Sequence, residues 1–368
     1  MAVRHSGETI GKTQARAFVI PTDAPEADGT LSWNKTTLIT VHVSAAGAQG
    51  FGYSYADAAA AALINGMLAE QIEGADPFDI PGTHRRLQRA VRNIGRGGLA
   101  ACAVSAVDLA LWDLKARLLG IGLGVLLGHE REKVAIYGSG GFTTYDDTSL
   151  QTQLSDWVAR DGCQAVKMKI GSHPEDDPRR IALARAAIGQ ARLFVDANGA
   201  LTAREALGLA AAAAESDIAW FEEPVSSDDL AGLALVRASM RRGVDVAAGE
   251  YCFTLDDVRL MLQTGAVDVQ QLDITRCGGI TGFMKAAALA QAFHTPLSGH
   301  CAPSAHLHAA CAAPGLRHLE WFHDHVRIER KLFDGAPKPE AGFIRPDPSR
   351  PGNGLTLKTQ DAEAFAVV

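Results

Sequence analysis

Three acidic residues end three short apolar runs, and that repeat constrains the chain more than any other feature. Asp196 closes ARLFVD, Glu222 closes the apolar part of IAWFEEP, and Glu250 closes VDVAAGE. The intervals, 196 to 222 and 222 to 250, are 26 and 28 positions, about one strand and one helix each, and each contains a helix-patterned segment. In a parallel barrel successive strands point their C-terminal ends the same way. Three carboxylates then converge on the face where such barrels carry their chemistry. Three hard oxygen ligands, with no Cys or His at matching positions, suit one Mg²⁺ better than Zn²⁺. Any one of these acids could be a helix cap or an ion-pair partner. Three in successive units predict a metal site.

The bulk of the chain agrees with an enzyme of that kind. At 368 residues it has room for a large barrel and a smaller domain. A 47% hydrophobic content is ample for a sizeable core, and a net charge of −7 argues against nucleic acid or an anionic membrane surface as partner. No stretch approaches the roughly 20 uninterrupted apolar residues of a membrane span. The opening MAVRHSGETIGKTQARAF lacks the apolar core of a secretory leader, so a cytoplasmic location is expected. The six cysteines (Cys102, Cys163, Cys252, Cys277, Cys301 and Cys311) are scattered without zinc-type spacing and read as reduced core thiols.

Residues 14–56 read as antiparallel: QARAFVI is apolar, TTLITVHV alternates, and GFGYSYA follows a Gly-rich turn. Between the first two runs, residues 21–34 (PTDAPEADGTLSWN) read as a polar loop. From Asp57 to Gly120 the period is helical, so residues 1–131 are expected to form an α+β domain. From Lys133 strands alternate with helices. Strands are expected near 134–138, 164–170, 191–196, 218–222, 245–250, 267–273, 296–301 and 316–322. Eight of them over residues 132–332 fit a (β/α)₈ barrel, or a variant with a modified last helix. The turn-rich tail 333–368 is expected to return to the first domain. An open doubly wound sheet is the alternative, but no G-x-G-x-x-G follows a first strand.

Further groups are predicted on the same face. Lys167 and Lys169 stand two apart on a strand and point to one side. If that side is the interior, mutual repulsion and desolvation are expected to lower one of them into the range of a base. Asp273 and His300 end two later strands; a carboxylate that orients an imidazole makes an acid/base dyad. Glu320 sits on the last strand, where a protonated carboxyl could donate to an oxyanion. The other histidines of the C-terminal half cannot be ranked from residue type alone.

With these residues in place the chain resembles the enolase superfamily, in its mandelate-racemase-like branch, over essentially its whole length. The resemblance rests on D-x-N at Asp196, W-x-E-E-P at Glu222, G-E at Glu250, K-x-K at Lys167 and Lys169, and Asp273 five before Gly278 of C-G-G. It implies a β/α barrel with an N-terminal capping domain, and Mg²⁺ on Asp196, Glu222 and Glu250. It further implies Lys169 as one base, Asp273–His300 as the other, Glu320 as an electrophile, and Lys167 at the substrate carboxylate. Asn198 and Glu223 are expected beside the metal or on the substrate. The muconate-cycloisomerase-like branch has Lys where Asp273 stands, which argues against it. The activity so implied is removal of the α-proton of a small hydroxy carboxylate, in an enzyme that self-associates. Dehydration of a sugar acid is expected first, because the 21–34 loop, where the resemblance places a substrate-covering flap, is polar. Racemisation of a 2-hydroxy acid is the alternative. A Schiff-base aldolase on Lys167 or Lys169 and a non-enzymatic binding protein are the competing classes.

Overall fold

Inward-facing residues repeat every second position along the strands, and this alternation builds the barrel in layers. The computed structural model describes residues 8–367, so the first seven residues of the stretch read for a leader lie outside it. Eight strands, β4 (Val134–Gly140), β5 (Ala165–Lys169), β6 (Arg192–Asp196), β7 (Ile218–Glu222), β8 (Asp245–Ala248), β9 (Val269–Leu272), β10 (Leu297–Gly299) and β11 (Leu316–Phe322), pair in order. Each is parallel to the next, and β11 closes on β4. Tyr137, Ala165, Phe194, Trp220, Ala247 and Val269 form an apolar floor inside the barrel, with the Phe194 and Trp220 rings stacked at 5.2 Å. Two residues on, on the same side of each strand, come Ser139, Lys167, Asp196 and Glu222, all buried. The carboxylates are therefore lifted onto a packed aromatic layer and kept from bulk water.

The other domain starts with β1 (Thr13–Ala27), β2 (Ser32–Ala45) and β3 (Ala48–Tyr55), an antiparallel sheet. The helix Leu99–Leu119, buried along most of its length, lies against β3. Gly50 and Gly52 permit that approach: a Cβ on either would stand 2.2 Å from the carbonyl oxygen of Ala110 or Ala106. The same helix reaches the barrel, where Asp108 accepts from Thr281 N (2.9 Å) and Oγ1 (2.7 Å). A second bridge is the helix His323–Leu332, which starts directly after β11 in place of a regular outer helix. On it Glu329 accepts from Tyr53 Oη (2.6 Å), Asp324 from the Thr36 hydroxyl, and the His325 ring stacks on Tyr55 at 3.5 Å. The tail flanks the barrel first, with Phe343–Ile344 antiparallel to β4, and ends on β1, where Ala17 O accepts from Val367 N at 2.9 Å. No helix among the described residues is long and apolar enough to cross a membrane.

Residues 21–34 do not form the polar loop their Pro, Asp and Gly content suggested. β1 and β2 continue into a hairpin arm in which Glu26 pairs with Trp33 and Ala27 with Ser32, beyond an irregularity after Pro21. β1 is an edge strand of its sheet, with the tail bridging it at Phe18, and Pro21 and Pro25 lie beyond that bridge, so they cost no interior ladder bonds among the described residues. The turn is closed by Asp28 Oδ1, which accepts from the N–H of Thr30 (2.7 Å) and Leu31 (2.8 Å). Asp23 engages His323 at 3.0 Å, and Glu26 Oε2 accepts from Trp33 Nε1 at 2.7 Å. Asp23, Glu26 and Asp28 thus each hold the arm through at least one carboxylate contact.

Glu26 gives the arm a pH dependence. Burial first, then the charges of Asp324 and Asp23, push its carboxyl up to about 8, against smaller opposing effects of Trp33 and Arg327. The folded arm keeps a proton that an unfolded Glu, titrating near 4.5, releases. Its contribution is full below that value and is lost as pH rises through 8. Wild-type tryptophan emission is therefore expected to titrate near pH 8 relative to Glu26→Gln. Superimposable profiles would sink this assignment.

Candidate active site

The C-terminal ends of the barrel strands bring together every residue singled out above. Register sets Lys169 beside Asp196 and Asp196 beside Glu222 on neighbouring strands. Glu250 follows β8 by two residues, and Asp273 and His300 directly follow β9 and β10. Ligand oxygens of Asp196, Glu222 and Glu250 all lie within 4.8 Å of one another, and all three residues are buried.

The ammonium groups lie among these acids. Lys167 Nζ touches Glu222 Oε1 and lies 2.8 Å from Glu320 Oε1 and 3.2 Å from Asp196 Oδ2. Lys169 Nζ donates to Asp196 Oδ2 at 2.6 Å. The expectation of a lowered lysine pKa is therefore corrected. Burial, the largest effect, and the repulsion of Lys167 work against charge on Lys169, but Asp196, Glu250 and Glu320 together outweigh them, and the amine is held above its ordinary value. Glu320 is corrected likewise. Burial favours its neutral form, yet Lys167 and His300 hold it ionised, and it accepts from Ser139 Oγ (2.6 Å) and Cys301 N (2.9 Å). The two lysines are buried ion-pair partners, not solvated side chains.

On the far side of the ring, Asp273 Oδ2 accepts from His300 Nδ1 at 2.8 Å, while its Oδ1 accepts from Thr275 N (2.7 Å) and Oγ1 (2.6 Å). A carboxylate only accepts, so the proton is on Nδ1 and Nε2 faces the cavity ring. Burial disfavours charge on the imidazole; Cys301, Glu250 and Glu320 outweigh it and raise it well above an ordinary His. Several residues just past these strands hold left-handed φ values: Asn198 at 45°, Glu223 at 36° and Cys301 at 49°. Such backbone is maintained only where surroundings over-determine it, and here it aims groups at the ring.

Two neighbours were missed from sequence. Arg276 lies 3.5 Å from Asp273 Oδ2 and 3.4 Å from Glu250 Oε1, joining the dyad to the metal triad; its position three after Asp273 was the available signal. Cys301, read as core filler with the other buried thiols, has Sγ 3.3 Å from His300 Nε2.

The donor set fits a hard divalent cation. Asp196, Glu222, Glu250 and Glu320 outnumber the two ammonium groups. Burial and the Asp196 charge push Glu222 up to about 8, as a carboxylate short of positive charge would be. Glu223 Oε1 and Asn198 Oδ1 are buried with no hydrogen-bond partner among the described residues, and Glu250 Oε2 faces only the His300 ring, at 3.2 Å. All are oxygens, the ligands Mg²⁺ prefers. Lys169, Asn198, Glu250 and His300 line a cavity of about 440 Å³ that reaches the arm through Trp33 and Asp28.

Residues 149–362 match the enolase C-terminal domain-like family, and residues 14–128 match the mandelate racemase/muconate lactonizing enzyme N-terminal domain. The chain belongs to the mandelate racemase-like branch of the enolase superfamily. Within it, a mandelate racemase/muconate lactonizing enzyme-like protein from Rubrobacter xylanophilus superposes with TM-score 0.95 at 48% identity, over 98% of this chain and 100% of that one. A 3,6-anhydro-α-L-galactonate cycloisomerase of Streptomyces coelicolor is 33% identical over 90% of this chain and 91% of its own length. The L-talarate/galactarate dehydratase of Salmonella typhimurium is 33% identical over 78% of this chain and 74% of its own. A structure of that dehydratase with Mg and L-lyxarohydroxamate has TM-score 0.90 at 28% identity, covering 100% of this chain and 95% of that one.

Proposed function

We propose that the protein is a Mg²⁺-dependent sugar-acid dehydratase that works through an enediolate, with Asp196, Glu222 and Glu250 as the metal ligands. The observation that carries this reading is the pairing of that triad with two separate bases, Lys169 and Asp273–His300, around one cavity. A divalent cation on the triad would supply positive charge to the substrate carboxylate and so lower the cost of the second negative charge formed there. Lys167 flanks the same carboxylate, Glu320 lies beside it where the substrate's negative charge would favour its protonated, donating form, and Asn198 binds the substrate hydroxyls. Lys169 and His300 stand three strands apart around a closed ring of eight, so they address the α-carbon from different sides. With the Asp196 charge taken up by a cation on the triad, the Lys169 proton is held less tightly, so that one of the two groups can take the α-proton while the other protonates the departing β-oxygen.

Dehydration leads because the cavity wall is hydrogen-bonding, with Thr36, Thr37, Asp57 and Lys35. Sites built to bind hydroxyls reject substrates that lack them. The similarity to a galactarate dehydratase and an anhydrogalactonate cycloisomerase supports the same choice. A β-ether oxygen is a leaving group for the same acid, so cyclic 3,6-anhydro acids belong in the test. We place the enzyme in the cytoplasm as a homo-oligomer acting on a free small carboxylate. A panel of five- and six-carbon sugar acids and their anhydro forms is expected to yield a 2-keto-3-deoxy acid, read as its semicarbazone. No such product from the panel, with racemisation of a simple 2-hydroxy acid instead, would leave the racemase reading standing. Two opposed bases are what racemisation also requires.

A further inference from the structure

A second trio of ligand atoms adjoins the carboxylate triad, and its chemistry differs. His300 Nε2, Cys301 Sγ and Glu320 Oε2 form a triangle with edges of 3.3 Å (N to S), 3.4 Å (S to O) and 3.7 Å (N to O). A tetrahedral zinc ion, with bonds of about 2.0–2.3 Å, holds such atoms roughly 3.3–3.6 Å apart, so the triangle already has coordination size. Asp273 holds the His300 Nδ1 proton, so Nε2 is the nitrogen that would bind an ion on losing its own proton, the arrangement that orients metal-binding imidazoles. The Cys301 N–H, donating to Glu320 Oε2 at 2.9 Å, fixes that carboxylate toward the sulfur. All three residues are buried, yet His300 and Cys301 line the cavity, which provides an entry path and an open fourth position. Among the described residues no other cysteine belongs to a group of potential ligands. Glu250 Oε2, 3.2 Å from His300 Nε2, adds negative charge alongside.

We propose that His300, Cys301 and Glu320 form a second cation site, selective for a thiophilic ion such as Zn²⁺ over Mg²⁺, whose occupation withdraws the acid/base residue from the reaction. Sulfur and nitrogen ligands favour Zn²⁺, while Mg²⁺ prefers the all-oxygen triad beside them. On binding, the Cys301 S–H and the His300 Nε2–H bonds break, both protons pass to solvent, the sulfur–metal and nitrogen–metal bonds form, and nothing is oxidised. The loss of turnover rests on the role proposed for His300; the binding does not.

The test uses Mg²⁺-loaded full-length protein titrated with Co²⁺ as the spectroscopic probe and with Zn²⁺ in the turnover assay. One equivalent of Co²⁺ is expected to give a thiolate charge-transfer band that Zn²⁺ displaces and that is absent from both Cys301→Ser and Cys301→Ala. Zn²⁺ affinity should fall at least about tenfold in these variants, since losing a ligand costs no less than losing an outer partner. Zinc-edge absorption of the wild type should show one sulfur and one imidazole. No thiolate band in the wild type, or a band that survives in both variants, overturns the site. A Cys301-dependent band with turnover unaffected by Zn²⁺ upholds the site and counts against His300 as acid/base.

Discussion

Asp196→Asn is expected to lower turnover by at least about a hundredfold, about 2.7 kcal/mol of transition-state stabilisation, because it removes charge at the centre of the metal triad. Asp196 is the acid shared by both ammonium groups, at 2.6 Å from Lys169 and 3.2 Å from Lys167, and its Oδ1 accepts from Asn198 N at 2.9 Å. An amide preserves the shape and the Asn198 contact. It cannot match a carboxylate as a partner for a divalent ion. The metal can be read separately from catalysis: Mg²⁺ at a hundredfold excess over its dissociation constant should stabilise the wild type by about 2.7 kcal/mol and leave Asp196→Asn almost unmoved. Chelation should abolish turnover and Mg²⁺ restore it. An Asp196→Asn protein with wild-type metal occupancy and wild-type turnover would falsify the assignment.

How much of this site is visible in sequence depends on which physical relation places each residue. Asp196 and Glu222 were legible because a period of two raises each above a buried aromatic, Phe194 or Trp220, on its own strand. The strands around them were legible from short apolar runs alternating with helix-patterned segments, as in RLFVD and IAWFE. The ionisation of Lys169 was not. It depends on which group faces it from the next strand, and that is settled by the register pairing Lys169 with Asp196. Cys301 was invisible as a ligand because its contact with His300 needs a left-handed φ and a neighbouring strand that carries Glu320. The arm at 21–34 was misread because Pro, Asp and Gly mark an edge hairpin as readily as a loop. Only the pairing of Glu26 with Trp33 tells them apart.

Removing either base is expected to cost roughly 10²- to 10⁴-fold in turnover, and the two losses should differ in stereochemistry. Lys169 ends the second strand of the barrel, and His300 follows the seventh. Both line the same cavity, and the proposed mechanism has each face the α-carbon from its own side. In deuterated water, Lys169→Ala should lose α-proton exchange with one epimer and retain measurable exchange with the other, and His300→Asn should show the reverse. Asp273→Asn should follow the histidine variant. Its side-chain oxygens are held by Thr275 and by His300 Nδ1, so its action on substrate passes through the ring. An amide there offers a donor where the ring also donates, and the proton moves to the wrong nitrogen. Dehydration of a single epimer still fits the scheme, because one base then serves as the acid for the β-oxygen and its variant keeps α-exchange while losing product. Equal loss of exchange from every epimer, in both variants, would show that Lys169 and His300 act on one face, and the two-base arrangement would have to be abandoned.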